Sequence, residues 1–579
     1  MRVICVLLTL LYAYGCSLVH SHQYSESDIR FNQIGYLTSG HKQAVVVSPA
    51  TDLFEIKEES GKVVYKGYLL PVRYWDKSGE EVSIADFSGF RKSGEYVMTV
   101  GNTESRSFLI DEKPYYPLIK SASKSFFFHR ASTALEEKYS GAFKRSFAHP
   151  DTSVVVHTSG ASKLRPSGYK LSTPYGWYDA GDYNKYVVNS GITTYTLLMA
   201  YLHNQAQFDT LSLNIPESTN DLPDILDEIL WNIRWMETMQ DPEDGGVYHK
   251  TTTANFEKFV DPPKATGQRY VVAKGTAATL NFTAVLAKAG LIFSQIDPDL
   301  SSRLIYKAEN AWRWAKKHPK VIYQNPDKEL TGGPAIKTGE YGDRDFQDEF
   351  LWASVELYLA TGKQVYLDEI NLNAVQYGVP DWNSVETLAL ISLSTEGANV
   401  PELLRKSASD KLMSLSENLI EIWRESPYKI TLNDFRWGSN SVILNQGMVL
   451  INAYKSFGNT EFFEAALSGL DYVLGRNAVG YCFVTGMGHR SPLNPHHRIS
   501  ATDEIDEPIP GMLVGGPNPN HVDQDCGSEH YGETLFSAKC YIDEVCSYST
   551  NEVAINWNAP LVYMSSSLQS IYQSEFIKK

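Results

Sequence analysis

The hydrophobic period changes once along the chain, and that change constrains the fold more than any other feature. From about Asp28 to Ile110 apolar and polar residues alternate in short runs between turn residues: "KQAVVVSP", "LFEIKEESGKVVYKG", "SGEYVMTVGN" and "RSFLI". In "GEYVMTVG", Tyr96, Met98 and Val100 fall on one face, as a half-buried strand requires. Further on the period is helical. In "NDLPDILDEILWNIRWMETMQ", Leu222, Ile225, Leu226, Ile229, Leu230 and Ile233 recur at helical spacing, with Asn220 or Asp221 placed to cap and Pro223 suited to the first turn. "DEFLWASVELYLATG" ends at Gly362, where a helix can stop in the left-handed conformation. Similar segments near 118–136, 191–204, 273–293, 301–317, 385–393, 409–424, 441–456, 460–473 and 552–572 predict eleven or twelve helices joined by long loops rich in Gly, Pro and aromatic residues. A chain of 579 residues exceeds what one core organises. The expectation is an all-β sandwich over 28–112, a junction at Pro114 and Pro117, and an all-α domain over 113–579. Helix pairs repeated around an axis would make a toroid, which periodicity alone does not separate from a solenoid.

Residues 1–27 begin "MRVICVLLTLLYAYGC": one Arg, an apolar run, then small residues. This is the pattern of a signal peptide, too short for a spanning helix. "AYGC" also resembles a bacterial lipoprotein cleavage box that would make Cys16 the lipidated first residue, although Ala13 stands where Leu is commoner; ordinary cleavage is the alternative. The protein is therefore expected to be exported, as a surface or periplasmic lipoprotein or in secreted form, touching a membrane only through a lipid. Export permits disulfides, and Cys482, Cys526, Cys540 and Cys546 are open to pairing or not. A net charge of -16 without basic clusters argues against a nucleic-acid partner but leaves a neutral polymer open. The 35 Tyr and 11 Trp suit the apolar faces of sugar rings. A monomer is expected.

Two stretches carry candidate chemistry. "GWYDAGDYNKYVVNSG" puts Asp179 and Asp182 three apart among aromatic residues, where helix capping competes with a catalytic reading. "YIDEVCSYSTNEVAINWNAP" places Glu552 at the opening of the last helix after Asn551, with the helix dipole as the competing explanation. Together they provide what glycosidic cleavage demands, one acid for the leaving oxygen and one carboxylate on the opposite face. "YGDRDFQDEFLW" gathers Asp343, Asp345, Asp348 and Glu349; such hard oxygen ligands suit Ca²⁺, and dipole capping of the following helix competes.

Here a resemblance becomes specific. The spacing of Tyr541, Asp543, Tyr548, Glu552, Ala554, Asn558 and Ala559 resembles the C-terminal signature of glycoside hydrolase family 9. "DAGDYNKY" is similar to that family's base-bearing motif, and "VTGMGHRSPLNPHHR" to its His-containing one, with Cys482 departing at a packing position. "IRFNQIGYL" resembles the start of the immunoglobulin-like module that precedes some of these catalytic domains. The resemblance implies an (α/α)6 barrel that cleaves internal β-1,4 bonds of a β-glucan with inversion, the backbone being cellulose-like, mixed-linkage or xyloglucan. It implies Asp182 as general base, Asp179 as orienting the same water, and Glu552 as general acid. An inverting pair should stand about 6.5–9.5 Å apart to admit that water. His496 and Arg498 are implied to meet sugar hydroxyls beside the scissile bond, and His249 is a further candidate for the same subsite. No cofactor is expected for the chemistry. Structural calcium is implied at the acidic loop. The zinc site of some relatives is not expected, because Ala131 and Ala148 stand where those relatives have Cys. Two other readings are an exo-acting β-glycosidase or glucosaminidase on the same barrel, and a glycan-binding surface protein without catalysis.

Overall fold

Ten short strands build two sheets over residues 29–111. One sheet runs β1 (Ile29–Arg30), β3 (Gln43–Val47), β7 (Glu80–Asp86), β6 (Arg73–Trp75). The other runs β2 (Tyr36–Leu37), β10 (Phe108–Asp111), β8 (Gly94–Val100), β4 (Leu53–Lys57), β5 (Val63–Tyr68), with β9 (Thr103–Glu104) beside β8. All pairings are antiparallel except β2 with β10. Val46, Phe54, Ile56, Met98 and Ile110 fill the space between the sheets. Strands β6 and β7 escape the alternation rule for a physical reason. Ala85 faces the sandwich core, whereas Val82, Ile84 and Trp75 pack on the helical domain, so β7 is buried on both faces.

The same contact fixes the sandwich in place. Trp75 lies 4.2 Å from the Tyr428 ring, and Arg30 forks onto Glu80 at 2.8–2.9 Å. Burial pushes the Glu80 carboxyl up, but Arg30 and Lys539 hold it down at about 2. Asn32 donates to Asp471 at 2.7 Å.

The computed structural model describes residues 28–327, 332–396, 399–520, 526–527 and 536–576; the expected signal peptide and Cys16 lie outside them. Among the described residues twelve helices make up the barrel, the short helices Glu137–Ser140, Gln205–Phe208 and Tyr548–Asn551 standing apart from it: α1 (Tyr116–Phe128), α2 (Val187–His203), α3 (Asp224–Met239), α4 (Thr276–Phe293), α5 (Pro298–Lys317), α6 (Gln347–Thr361), α7 (Gln364–Leu367), α8 (Glu386–Thr395), α9 (Glu402–Glu425), α10 (Ser439–Phe457), α11 (Thr460–Val473) and α12 (Ile555–Ile571). The even-numbered helices close a ring, each against the next and α12 back onto α2, while the odd-numbered ones pack outside. This is an (α/α)6 barrel. Burial separates the two sets. Every residue of α2 from Val187 to Tyr201 is buried, as is all of α4 except Leu291. The outer helix α5 buries only a stripe including Leu304, Ala308, Ala311 and Ala315.

Helix ends differ from the sequence expectation at two places. The cap of α3 is Pro223; Asn220 instead turns its amide onto Asp227. Glu552 does not open the last helix, which begins at Ile555. Gly362 ends α6 at φ 65°, as its position predicts. Cys526 and Cys546 form a disulfide, while Cys482 and Cys540 are buried outside it.

Candidate active site

A small sheet at one end of the barrel aims the first pair of carboxylates. Its order is β12 (Lys170–Leu171), β11 (Val154–Val156), β15 (Arg269–Val271), β14 (Lys250–Thr253), β13 (Lys185–Tyr186), and β13 runs directly into α2. Residues 179–182 form the bend before β13, so neither Asp caps a helix. The bend is tied on all sides. Asp179 N–H donates to the Asn184 carbonyl at 3.0 Å, Ile555 N–H to the Asp179 carbonyl at 2.9 Å, and Arg498 N–H to the Gly181 carbonyl at 3.1 Å. Gly181 must be glycine here, because a Cβ would stand 2.2 Å from the His496 carbonyl oxygen.

Glu552 approaches from the other side on extended backbone (φ −70°, ψ 152°) between a short helix, Tyr548–Asn551, and α12. Gly515 N–H donates to its carbonyl at 2.9 Å, and His496 pairs with it in a parallel bridge. Asn551 and Asp543 support that strand: the Asn551 amide donates to the Asn494 carbonyl at 2.6 Å, and Asp543 accepts Leu493 and Asn494 N–H at 2.8 and 2.9 Å. Of these residues, Asp543 and Glu552 belong to the C-terminal signature.

The electrostatics separate the three acids. Burial, and then the charge of Asp182, pushes Asp179 up to about 8 against donors Asn189 (2.7 Å) and Tyr341 (2.8 Å). Burial also raises Asp182, but the Arg498 charge, the Asn184 amide and the Tyr186 hydroxyl (3.2 Å) oppose it. Both carboxyls are thus raised as a coupled pair, and Asp182 is the one whose rise the Arg498 charge counters. Glu552 is raised well above the usual carboxylate range by burial and then by the charges of Asp182 and Asp179.

All three acids open on one cleft of about 710 Å³, walled by aromatic residues including Phe256, Tyr341, Trp382, Trp437, Tyr548 and Trp557. His496 and Arg498 also line it. His496 Nδ1 lies 2.6 Å from the Val545 carbonyl, so that nitrogen carries its proton into the wall. Arg498 donates Nη1 to the Gly181 carbonyl at 2.7 Å and Nε to the Glu257 carbonyl at 2.9 Å, which makes it a clamp on the Asp bend. His249 does not reach the cleft. It is buried behind the wall, stacked on Tyr323 at 3.7 Å with Nε2 on the Glu340 carbonyl at 2.8 Å, and burial holds it near 3. The three tryptophans were not singled out in the sequence. Their mark is position: each sits among Gly, Pro, Asn or Ser residues, and Trp437 is 49% exposed.

The acidic loop divides. Asp345 accepts Gln347 N–H at 3.2 Å ahead of α6, and Asp348 accepts Val385 N–H at 3.0 Å. Glu349 is fully buried with no well-aligned donor on either oxygen, and one buried oxygen of Asp343 is in the same condition. Burial and the neighbouring Asp348 raise both carboxyls. Among the described residues no three His, Cys, Asp or Glu side chains already form a metal cage, yet the orphaned oxygens suit a hard cation. Ala131 and Ala148 are both buried and offer no ligand.

The model of glycosyl hydrolase family 9 matches residues 115–565, and that of the cellulase N-terminal Ig-like domain residues 24–105. A xyloglucan-specific endo-β-1,4-glucanase of Bacteroides ovatus is 42% identical over 94% of either chain. Endoglucanase D of Acetivibrio thermocellus is 33% identical over 95% of this chain and 84% of its own. Among solved structures, a Bacteroides ovatus GH9 protein superposes with a TM-score of 0.87 at 40% identity, covering 94% of this chain and 99% of that one. A single mutant of the thermostable endoglucanase of Alicyclobacillus acidocaldarius gives 0.85 at 31%, covering 94% and 100%.

Proposed function

The chain belongs to glycosyl hydrolase family 9 and is an inverting endo-β-1,4-glucanase, and from that premise we propose that its substrate is xyloglucan and that Asp182, Asp179 and Glu552 carry the reaction. The observation that carries the reading is the convergence of those three acids, two on one bend and one on a separate strand, in a single aromatic cleft. The glucan lies along the cleft with its ring faces on the tryptophans. Glu552, kept protonated by its surroundings, gives its proton to the leaving oxygen. Asp182, kept charged by Arg498, takes a proton from the water that attacks the far face of the sugar, and Asp179 orients that water. One displacement yields the inverted, α-configured reducing end. His496 meets a sugar hydroxyl next to the cleaved bond; Arg498 acts mainly by holding the bend.

The xyloglucan reading is supported by similarity to a xyloglucan-specific enzyme along nearly the full length of both chains. A calcium ion held by Asp343 and Glu349 with Asp348 would stabilise the loop before α6 and take no part in the chemistry. The Cys526–Cys546 disulfide supports export, and Cys16 lipidation would keep the protein at a membrane surface.

Proton NMR during hydrolysis of a xyloglucan oligosaccharide and of cellohexaose tests both parts. The expected result is the α-anomer first, with higher kcat/KM on the branched chain. A β-anomer first would overturn the roles of the acids, and preference for cellohexaose would overturn the substrate.

A further inference from the structure

A second hollow opens beside the cleft, with a volume of about 310 Å³, large enough for one sugar ring. The two spaces share a wall residue, Asp381. The rest of the hollow comes from residues 378–384 ahead of α8, residues 432–436 ahead of α10, and Val442 and Gln446 on α10 itself. Its lining is polar where the cleft is aromatic: Asn383, Asp434, Arg436 and Gln446 face it.

The rim is rigid before any ligand arrives. Asp381 and Ser384 exchange backbone hydrogen bonds at 2.9 and 3.2 Å, and Glu386 takes Gly378 N–H at 2.7 Å and the Ser384 hydroxyl at 2.8 Å. Gln446 is 6% exposed, and the Thr431 hydroxyl occupies its carboxamide oxygen at 2.6 Å, which leaves its NH2 group as the available donor. Donors from Arg436 and Gln446 and acceptors from Asp381 and Asp434 thus surround a space that water or sugar hydroxyls would fill equally well in shape.

Its position gives the hollow a meaning. Trp382, next in sequence to the shared Asp381, lies in the cleft with its ring edge-on to Tyr341 at 5.2 Å, and the Tyr341 hydroxyl donates to Asp179. The hollow is therefore two side chains removed from the reacting carboxyls. A β-1,4-glucan is a flat ribbon whose C6 groups alternate between its two edges, and the branches of xyloglucan are carried on C6 oxygens. We infer that this hollow is the subsite for an α-1,6-linked branch pentose, carried by the backbone glucose that stacks on Trp382. The inference rests on the xyloglucan reading and adds to it the residues that select for the branch.

The test compares a xylosylated oligosaccharide with an unbranched one of the same backbone length, using Asp434→Trp to fill the hollow and Arg436→Ala to remove a donor, with melting curves as a folding check. The ratio of kcat/KM, branched over unbranched, is expected to fall at least tenfold in Asp434→Trp and severalfold in Arg436→Ala. If the wild-type protein prefers the branched chain and both folded variants keep its ratio, the hollow is not the branch subsite and the substrate reading stands. If the wild-type protein prefers the unbranched chain, the substrate reading falls and takes the subsite with it.

Discussion

In the proposed reaction Glu552 is the acid, and its neighbours suit it to that role. Burial alone would raise any carboxyl, and the charges of Asp182 and Asp179 add to it, which favours the protonated form that donation to a leaving oxygen requires. A raised acid limits activity on the alkaline side, whereas protonation of Asp182 limits it on the acid side. Glu552→Gln should slow oligosaccharide hydrolysis by about 10²–10⁴-fold, remove the alkaline limb of kcat/KM, and spare an aryl glycoside whose phenolate leaves unaided. Asp182→Asn should slow both substrates alike, since either leaving group still needs an activated water. Equal losses in Glu552→Gln for both substrates would show that it is not the acid. At this scale the motifs around the three carboxyls are legible because they are local, and the structure brings those carboxyls to one cleft, whereas His249 lies behind its wall. The partners that turn its ring inward, Tyr323 and Glu340, are distant along the chain and nothing local marks them.

Helices of two kinds left different traces in the sequence. Outer helices such as α5 and α9 show a stripe because one face meets water; inner ones are buried on nearly every side, so their ends are set by caps such as Gly362 more than by periodicity. The four-residue α7 is too short to display a period and was missed, although it completes the outer ring. Strand β7 lost its alternation to the interface with the barrel. The loop before α6 is the element with most at stake. Asp343 at its end faces the first turn of α6, where Glu349 is buried beside Asp348 with its carboxyl raised by burial and by that neighbour, a cost a bound cation would relieve. Chelation should therefore lower the melting temperature by several degrees, with recovery on adding Ca²⁺; saturation at 100-fold above Kd corresponds to about 2.7 kcal/mol. An identical melting curve in EDTA and in millimolar Ca²⁺ would leave those carboxyls neutral and protonated instead.

A barrel of six inner helices has a polar problem on its own axis, since side chains that cannot all be apolar meet there away from water. In this molecule one network joins all six. Lys288 on α4 pairs with Glu396 after α8 and lies 3.6 Å from Glu356 on α6; Tyr195 on α2 donates to Glu356 at 2.6 Å, and Ser392 on α8 does so at 2.7 Å. His203 at the end of α2 faces Glu396 at 3.2 Å and Tyr563 on α12 at 2.9 Å, and Asn452 on α10 donates to Tyr563 at 2.9 Å. Burial works against a charged Glu396, but Lys288 and then His203 hold it down at about 2. His203 itself is pushed to about 4, mainly by burial, and is neutral at pH 7. Lys288 is thus the main counter-charge, a role invisible in "AVLAKAGLIF", where it reads as one lysine in an apolar helix. Lys288→Met should cost about 3–5 kcal/mol by leaving a buried carboxylate uncompensated. Adding Glu396→Gln should recover most of that loss, because the penalty lies in the orphaned charge and not in the missing amine. Urea unfolding of the single and double variants measures it. A double variant no more stable than Lys288→Met would mean that the axis is held by packing alone and that the ion pair does not tie the ring together.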